Sequence, residues 1–225
     1  MGKRQDARDR IERQIVELGR RHLVTEGAAG LSLRAIARDL GMVSSAVYRY
    51  VASRDELLTL LLVDAYSELA GSVDDARATK NSWREQVYAM AHAARAWAVE
   101  HPASWALLYG SPVPGYRAPA ERTVGPGTRV VAALFDAVAA GIAAGEISKT
   151  DVVVTQPLSS DFDGVRTEFG FSGDDSAVAK CFLLWAGLVG AIGLEVFGQY
   201  GPGTLTDPAA AFDLQVRLLI EMLTK

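Results

Sequence analysis

With a single cysteine, Cys181, in 225 residues, the chain can form no internal disulfide, and a zinc site would have to be assembled almost without thiolates. Histidine is nearly as scarce. The three, at positions 22, 92 and 101, never fall in the HExxH spacing that sets two imidazoles on one helical face. No GxxxxGK[ST] loop is present to cradle phosphates, and no GxSxG elbow to hold a nucleophilic serine. The chain is therefore read as a non-enzyme that uses no cofactor and no metal. Long hydrophobic runs are also missing: the longest uncharged apolar stretch, Cys181 to Leu194, has 14 residues and stops at Glu195. A bilayer span needs roughly 20. The N-terminal MGKRQDARDRIERQ has no apolar signal core. A reducing, cytoplasmic setting without a membrane partner is expected.

Hydrophobic residues make up 49% of the chain and charged residues 22%, which is the balance of a globular protein. The net charge of -4 is unevenly placed. Residues 1–54 carry 11 Lys and Arg against 6 Asp and Glu, whereas residues 55–225 carry 12 against 21. A small basic head on an acidic body is the asymmetry expected when one module meets a phosphate backbone.

Periodicity predicts a helix over about Asp6–Glu26, with Ile11, Ile15, Leu18 and His22 at helical spacing, Leu23 beside them and Gly27 as a stop. Ser32 caps a second helix, Leu33–Leu40, which Gly41 ends in a left-handed turn. Ser44 then caps a short helix through Tyr50, and Ser53, with Glu56 three residues on, opens a long helix from Arg54 to about Ala76. Further helices are expected over Ser82–Glu100, Pro102–Tyr109, Ala120–Ala144, Asp174–Gln199 and Pro208–Leu223. Residues 148–173 read as loop with at most a short helix. The fold class is all-α: an N-terminal three-helix helix-turn-helix domain, 1–53, followed by a larger helical effector-binding and dimerisation domain, 54–225.

A helix that enters the major groove must present short or hydrogen-bonding side chains at its N-terminal end, flanked by groups that hold phosphates. Ser44, Ser45 and Ala46 offer that edge, and Tyr48, Tyr50, Arg54 and Arg34 suit the backbone. For Tyr48 a place in the core is a direct competitor. The run Leu31–Leu58, LSLRAIARDLGMVSSAVYRYVASRDELL, resembles the helix-turn-helix of the TetR/AcrR family of bacterial transcriptional regulators. By that resemblance LSLRAIARDLG is the scaffold helix and turn, VSSAVYRYV the recognition helix and SRDELL the start of the connecting helix. Ser44, Ser45 and Ala46 would then face bases, while Tyr48, Tyr50 and Arg54 grip phosphates near Arg34. The departures are Tyr50-Val51, where the family more often has His-Phe, and Arg54, where Lys is usual.

Farther on, His101-Pro102, the loop Pro112-Val113-Pro114-Gly115-Tyr116 and the motif Trp185-Ala186-Gly187-Leu188-Val189-Gly190 resemble the TetR subgroup with a Trp-His-Gly-type C-terminal domain. Val189 stands where that subgroup often has His. The resemblance implies a homodimer on a palindromic double-stranded operator, released when a small molecule binds the C-terminal domain. Trp97, Trp105, Leu108, Tyr109, Tyr116, Phe135, Phe182 and Trp185 are the candidate effector-lining residues, each equally readable as core. Their aromatic character suits a hydrophobic or aromatic effector. Leu184, Leu188, Ala191, Ile192, Phe212, Val216, Leu219 and Ile220 are the candidate dimer residues, with packing inside one chain as the alternative. Two other functions stay open: a helical protein-interaction adaptor, and a redox-sensing regulator using Cys181.

Overall fold

The computed structural model describes residues 3–148 and 150–225; the first two residues of the expected 1–53 head and residue 149 of the 148–173 stretch lie outside the described residues. The described residues form ten helices: α1 (Lys3–Gly30), α2 (Leu33–Asp39), α3 (Ser44–Val47), α4 (Arg54–Arg77), α5 (Trp83–Glu100), α6 (Pro102–Tyr109), α7 (Ala120–Ala143), α8 (Leu158–Phe169), α9 (Asp175–Val196) and α10 (Pro208–Leu223). Two compact units divide the chain, Met1–Glu68 with His101–Gly127, and Leu69–Glu100 with Thr128–Lys225. The division falls inside α4 and α7, so it differs from the expected functional boundary at Ser53 and Arg54.

In the first unit, local chemistry sets the helix ends. Gly27 takes φ 66°, ψ 172° and breaks α1 one residue after the expected last position. Ser32 Oγ accepts from the Ala35 N–H at 3.4 Å to cap α2, and Gly41, at φ 66°, reverses the chain after it. α3 begins after Val43 without a side-chain cap, and beyond Val47 it loosens into turns through Tyr50 and Val51. Ser53 caps α4 by accepting from the Glu56 N–H at 3.0 Å. The Glu56 carboxylate, expected to complete a reciprocal cap, instead accepts from Arg122 Nη1 at 2.9 and 2.8 Å.

Ile15, Leu18 and Leu23 of α1, Leu33, Ile36 and Ala37 of α2, Val47, Val51, and Leu57, Leu58 and Leu61 of α4 close one core. Full burial of such side chains contributes about 1.5–3 kcal/mol each. Polar ties orient the helices around it. His22 Nε2 and Asp39 Oδ2 lie 2.6 Å apart between α1 and α2, and Arg20 of α1 pairs with Asp64 and Glu68 of α4.

In the second unit, α5, α9 and α10 pack together and α8 lies along α9. Ser82 and Glu85 form a reciprocal cap on α5, and Asp174 and Asp207 cap α9 and α10. The stretch read as loop contains α8, a full helix whose Phe162 is buried. By length and composition α7 and α9 are each apolar enough to cross a membrane. In α9, however, Val178, Cys181, Leu184, Leu188 and Ile192 are buried within the unit, as in the core helix of a globular protein. Lys180 is buried too, its ammonium donating to Ser148 O at 2.8 Å and Leu223 O at 3.0 Å. Its pKa is lowered because burial penalises the charge.

Candidate nucleic-acid interface and sensing site

The α2–α3 turn leaves one edge of the first unit uncommitted. Val47 and Val51 seal the turn from beneath with no exposed surface, so the remaining side chains of α3 face outward or lie along the flank. Ser45 is exposed, and Ser44 and Ala46 are partly so. Tyr48 is 44% exposed, which answers its competing reading as a core residue. Arg34 on α2 is exposed as well. These residues, which the sequence reading grouped, occupy one short segment and its supporting helix.

Two others are committed elsewhere. Tyr50 packs against the three-helix core, with the Arg8 guanidinium 5.8 Å from its ring centroid. Arg54 Nη2 donates to Ala28 O at 2.8 Å and Ala29 O at 3.2 Å, satisfying carbonyls at the end of α1. An arginine can do this from a distance that a lysine's single ammonium would bridge less well. Arg54 is thus a staple between α1 and α4 before it is a phosphate ligand.

The eight aromatic and apolar effector candidates fall into two groups. Trp105, Leu108, Tyr109 and Tyr116 belong to the first unit; Trp97, Phe135, Phe182 and Trp185 belong to the second. In the first, Trp105 and Tyr109 rings lie 4.4 Å apart, and Tyr109 meets Tyr66 of α4 edge-on at 6.4 Å. Tyr116 shares a 2.9 Å hydrogen bond with Thr59 Oγ1. Thr59 and Tyr66, seven residues apart on α4 and so on one helical face, are the members that the sequence reading missed. Gly127 fits against the Tyr66 ring, where a Cβ would approach it to 3.3 Å. Burial pushes the Tyr109 hydroxyl well above the ordinary tyrosine range; burial, and then the Tyr116 phenol, raise Tyr66. All three phenols are neutral donors and acceptors near neutral pH. Leu108 is half-buried beside them in sequence.

In the second unit, Phe135 stacks on Phe169 at 4.9 Å and meets Phe171 edge-on at 4.9 Å, and Phe182 meets Phe162 at 5.6 Å. These rings fill one another's space, and the segment that supplies Phe162, Phe169 and Phe171 is the one read as loop. Trp97 is buried and Trp185 half-buried.

The eight dimer candidates are taken up by packing within the chain. Leu184, Leu188, Ala191, Ile192, Phe212, Val216 and Ile220 are buried, and Leu219 lies against Gly187, where a Cβ would come within 2.8 Å of it. The apolar stripe that faces outward is offset from them: Leu183, Ala186, Gly190 and Leu194 on α9, with Leu214 and Leu218 on α10. Helix α9 is apolar all round, which hid the distinction in the sequence. A groove of about 530 Å³ bordered by Leu183, Leu218, Met222 and Val152 adjoins this stripe. Cys181 is 1% exposed, and burial pushes its thiol up to about 12, so little thiolate forms near neutral pH.

Residues 87–219 match a family described as the tetracyclin repressor-like C-terminal domain. The whole chain aligns with the HTH-type transcriptional regulator Rv1816 of Mycobacterium tuberculosis at 68% identity, covering 97% of that protein. Among solved structures, regulatory protein SCO4313 superposes with a TM-score of 0.80 at 32% identity, covering 98% of this chain and 100% of the other. A tetR-family regulatory protein from Rhodococcus RHA1 shares the fold at a TM-score of 0.65 and 14% identity, covering 94% of this chain and 96% of the other.

Proposed function

Because the chain belongs to the TetR/AcrR family of DNA-binding helix-turn-helix transcriptional regulators, we propose that it is a cytoplasmic homodimeric repressor released from a palindromic operator by a small hydrophobic or aromatic molecule. The observation that carries the DNA side of this reading is the uncommitted edge of α3. Ser44, Ser45 and Ala46 face base edges, and Tyr48 and Arg34 hold phosphates. Tyr50 and Arg54 act through the scaffold: one packs the core, and the other fixes α4 to the end of α1. In functional terms the head is residues 1–53 and the regulatory body 54–225.

The outward stripe of Leu183, Ala186, Gly190, Leu194, Leu214 and Leu218 is the face on which a second copy packs. An apolar surface of this extent, on two adjacent helices, is costly to leave in water. Two chains related by a two-fold axis then present two recognition helices to two half-sites. The effector sits at the Trp105, Tyr109, Tyr116 and Tyr66 group, and its occupancy alters the start of α4 through Thr59. Membership of the Trp-His-Gly-type subgroup is part of this proposal, and the residues behind it have physical roles: Pro102 starts α6 after His101, Tyr116 bonds Thr59, and Gly187 admits Leu219.

The reading is tested by selecting bound duplexes from a random-sequence library with the purified chain. A recovered inverted repeat bound by two chains supports it. No enrichment over a Ser45→Asp, Tyr48→Ala double variant overturns it.

A further inference from the structure

Trp105 is 1% exposed, yet its indole Nε1 has no hydrogen-bond partner among the described residues. A buried donor left unpaired costs about 1–3 kcal/mol, and native proteins seldom tolerate one without a reason. Its surroundings are specific. The Tyr109 ring lies 4.4 Å from the indole, Tyr66 stands edge-on to Tyr109, and Tyr116, bonded to Thr59, is near enough to Tyr66 to raise its phenol. The group is aromatic, its rings tilted or edge-on to one another, with hydroxyls at its margin and one unpaired buried donor.

Charge is balanced around it. Arg122, close enough to Tyr116 to act on its phenol, gives Nη1 to both oxygens of Glu56. Asp55 and Glu56 raise the Tyr116 phenol after burial has done so, and the buried phenols of Tyr66 and Tyr109 are raised in the same direction. An anionic guest would meet the Asp55 and Glu56 carboxylates beside Tyr116, where the Arg122 guanidinium is already taken by Glu56, and a cationic guest would find no carboxylate within the ring group itself. A neutral guest with an acceptor would pair the orphan donor without burying charge.

We propose that the Trp105 indole N–H is the hydrogen-bond anchor of the effector, and that the effector is a neutral, largely apolar molecule carrying a carbonyl-type acceptor. This rests on the effector reading above and adds to it the chemical class and the anchoring atom. The acceptor accepts a hydrogen bond from the indole N–H, the apolar body lies beside the Trp105 and Tyr109 rings, and the Tyr66 hydroxyl and the Thr59–Tyr116 pair meet peripheral polar groups. Trp105 thereby discriminates a ketone from its deoxygenated skeleton, which fills the same space and leaves the donor unpaired.

The test uses the full chain with nitrogen-15-labelled tryptophan, whose 4 indole N–H resonances are resolved by NMR, that of Trp105 being identified by Trp105→Phe. Two matched probe pairs are titrated: indanone with indane, and fluorenone with fluorene. At least one ketone is expected to shift the Trp105 indole proton downfield and to bind roughly tenfold more tightly than its hydrocarbon partner. In Trp105→Phe that preference shrinks to within about twofold. The wild-type comparison of ketone and hydrocarbon stands even if the variant misfolds. If neither ketone moves the Trp105 resonance, or ketone and hydrocarbon bind alike, the proposal is overturned, as it is if a permanently bound water holds the indole resonance fixed. Operator release is measured in parallel to separate the two readings. A ketone that engages Trp105 without altering DNA affinity supports the anchor and defeats the release mechanism. A compound that releases DNA while the Trp105 resonance stays fixed defeats the anchor and leaves release intact.

Discussion

The two units each gather aromatic side chains, and they do so to opposite ends. In the second unit, Phe135, Phe162, Phe169, Phe171 and Phe182 meet ring to ring, with no polar atom to satisfy. In the first, Trp105, Tyr66, Tyr109 and Tyr116 bring hydroxyls and an unpaired indole N–H into a buried setting. An all-carbon cluster is a core whose value lies in filled volume. A cluster with inward hydrogen-bonding capacity offers recognition, at a cost in stability that an apolar core does not bear. Aromatic content alone does not separate core from site. The polar edges of the rings do.

The largest expected effect breaks that comparison from the core side. Phe135→Ala removes the ring shared by three neighbours and should cost about 3–5 kcal/mol in urea denaturation, whereas Tyr109→Phe in the first unit should cost about 1 kcal/mol or less. Similar losses at both positions would mean that both clusters are core. Next comes the pair that separates inward from outward faces of α9. Leu184→Ala, with no exposed surface, should lose about 2–5 kcal/mol of stability. Leu183→Glu with Leu218→Glu, at 53% and 56% exposure, should leave a folded chain that sediments as a monomer.

A smaller contrast lies within the DNA-reading head. Arg54→Ala, which frees the Ala28 and Ala29 carbonyls, should lower thermal stability by about 1–2 kcal/mol as well as DNA affinity. Tyr48→Phe should weaken DNA binding roughly three- to tenfold in fluorescence anisotropy and leave the melting temperature unchanged. The smallest effect is one of pH, in the second unit. The Ser159 hydroxyl and then Arg166 hold Asp175 below the usual carboxylate range, and Tyr88 and then Arg217 do the same for Asp213. A depressed folded value means that the unfolded chain takes up protons first. The stabilisation is therefore present above the unfolded carboxylate value of about 4 and is lost as pH falls through the folded values. Asp175→Asn with Asp213→Asn should flatten the acid side of the urea-midpoint profile.

Local chemistry was the legible part of the sequence. Ser32, Gly41, Ser53 and Pro102 mark helix ends by capping, positive φ or a missing N–H, and each acts where the chain itself supplies the signal. The exposed edge of α3 was legible for the same reason: the segment is short, and Val47 and Val51 leave one side free. Helix α8 was not, because LSSDFDGVRTEF carries Ser, Asp and Gly where a loop would, and its inward pattern rests on Phe162, Val165 and Phe169. The outward face of α9 was hidden by a sequence apolar on every side. Arg54 and Glu56 looked like a phosphate ligand and a cap, and their actual partners, the Ala28 and Ala29 carbonyls and Arg122, lie 25 or more residues away. Periodicity reports which residues seek burial and is silent about which distant group they will meet.

The central claim is that the α3 edge reads DNA in pairs. The most direct measurement is the affinity and stoichiometry of the chain on its selected duplex as salt is raised, beside a duplex with one half-site scrambled. The account predicts two chains per duplex, a linear fall of log affinity with log salt, and a loss of at least about tenfold on scrambling. Equal affinity for the two duplexes at every salt concentration would contradict it.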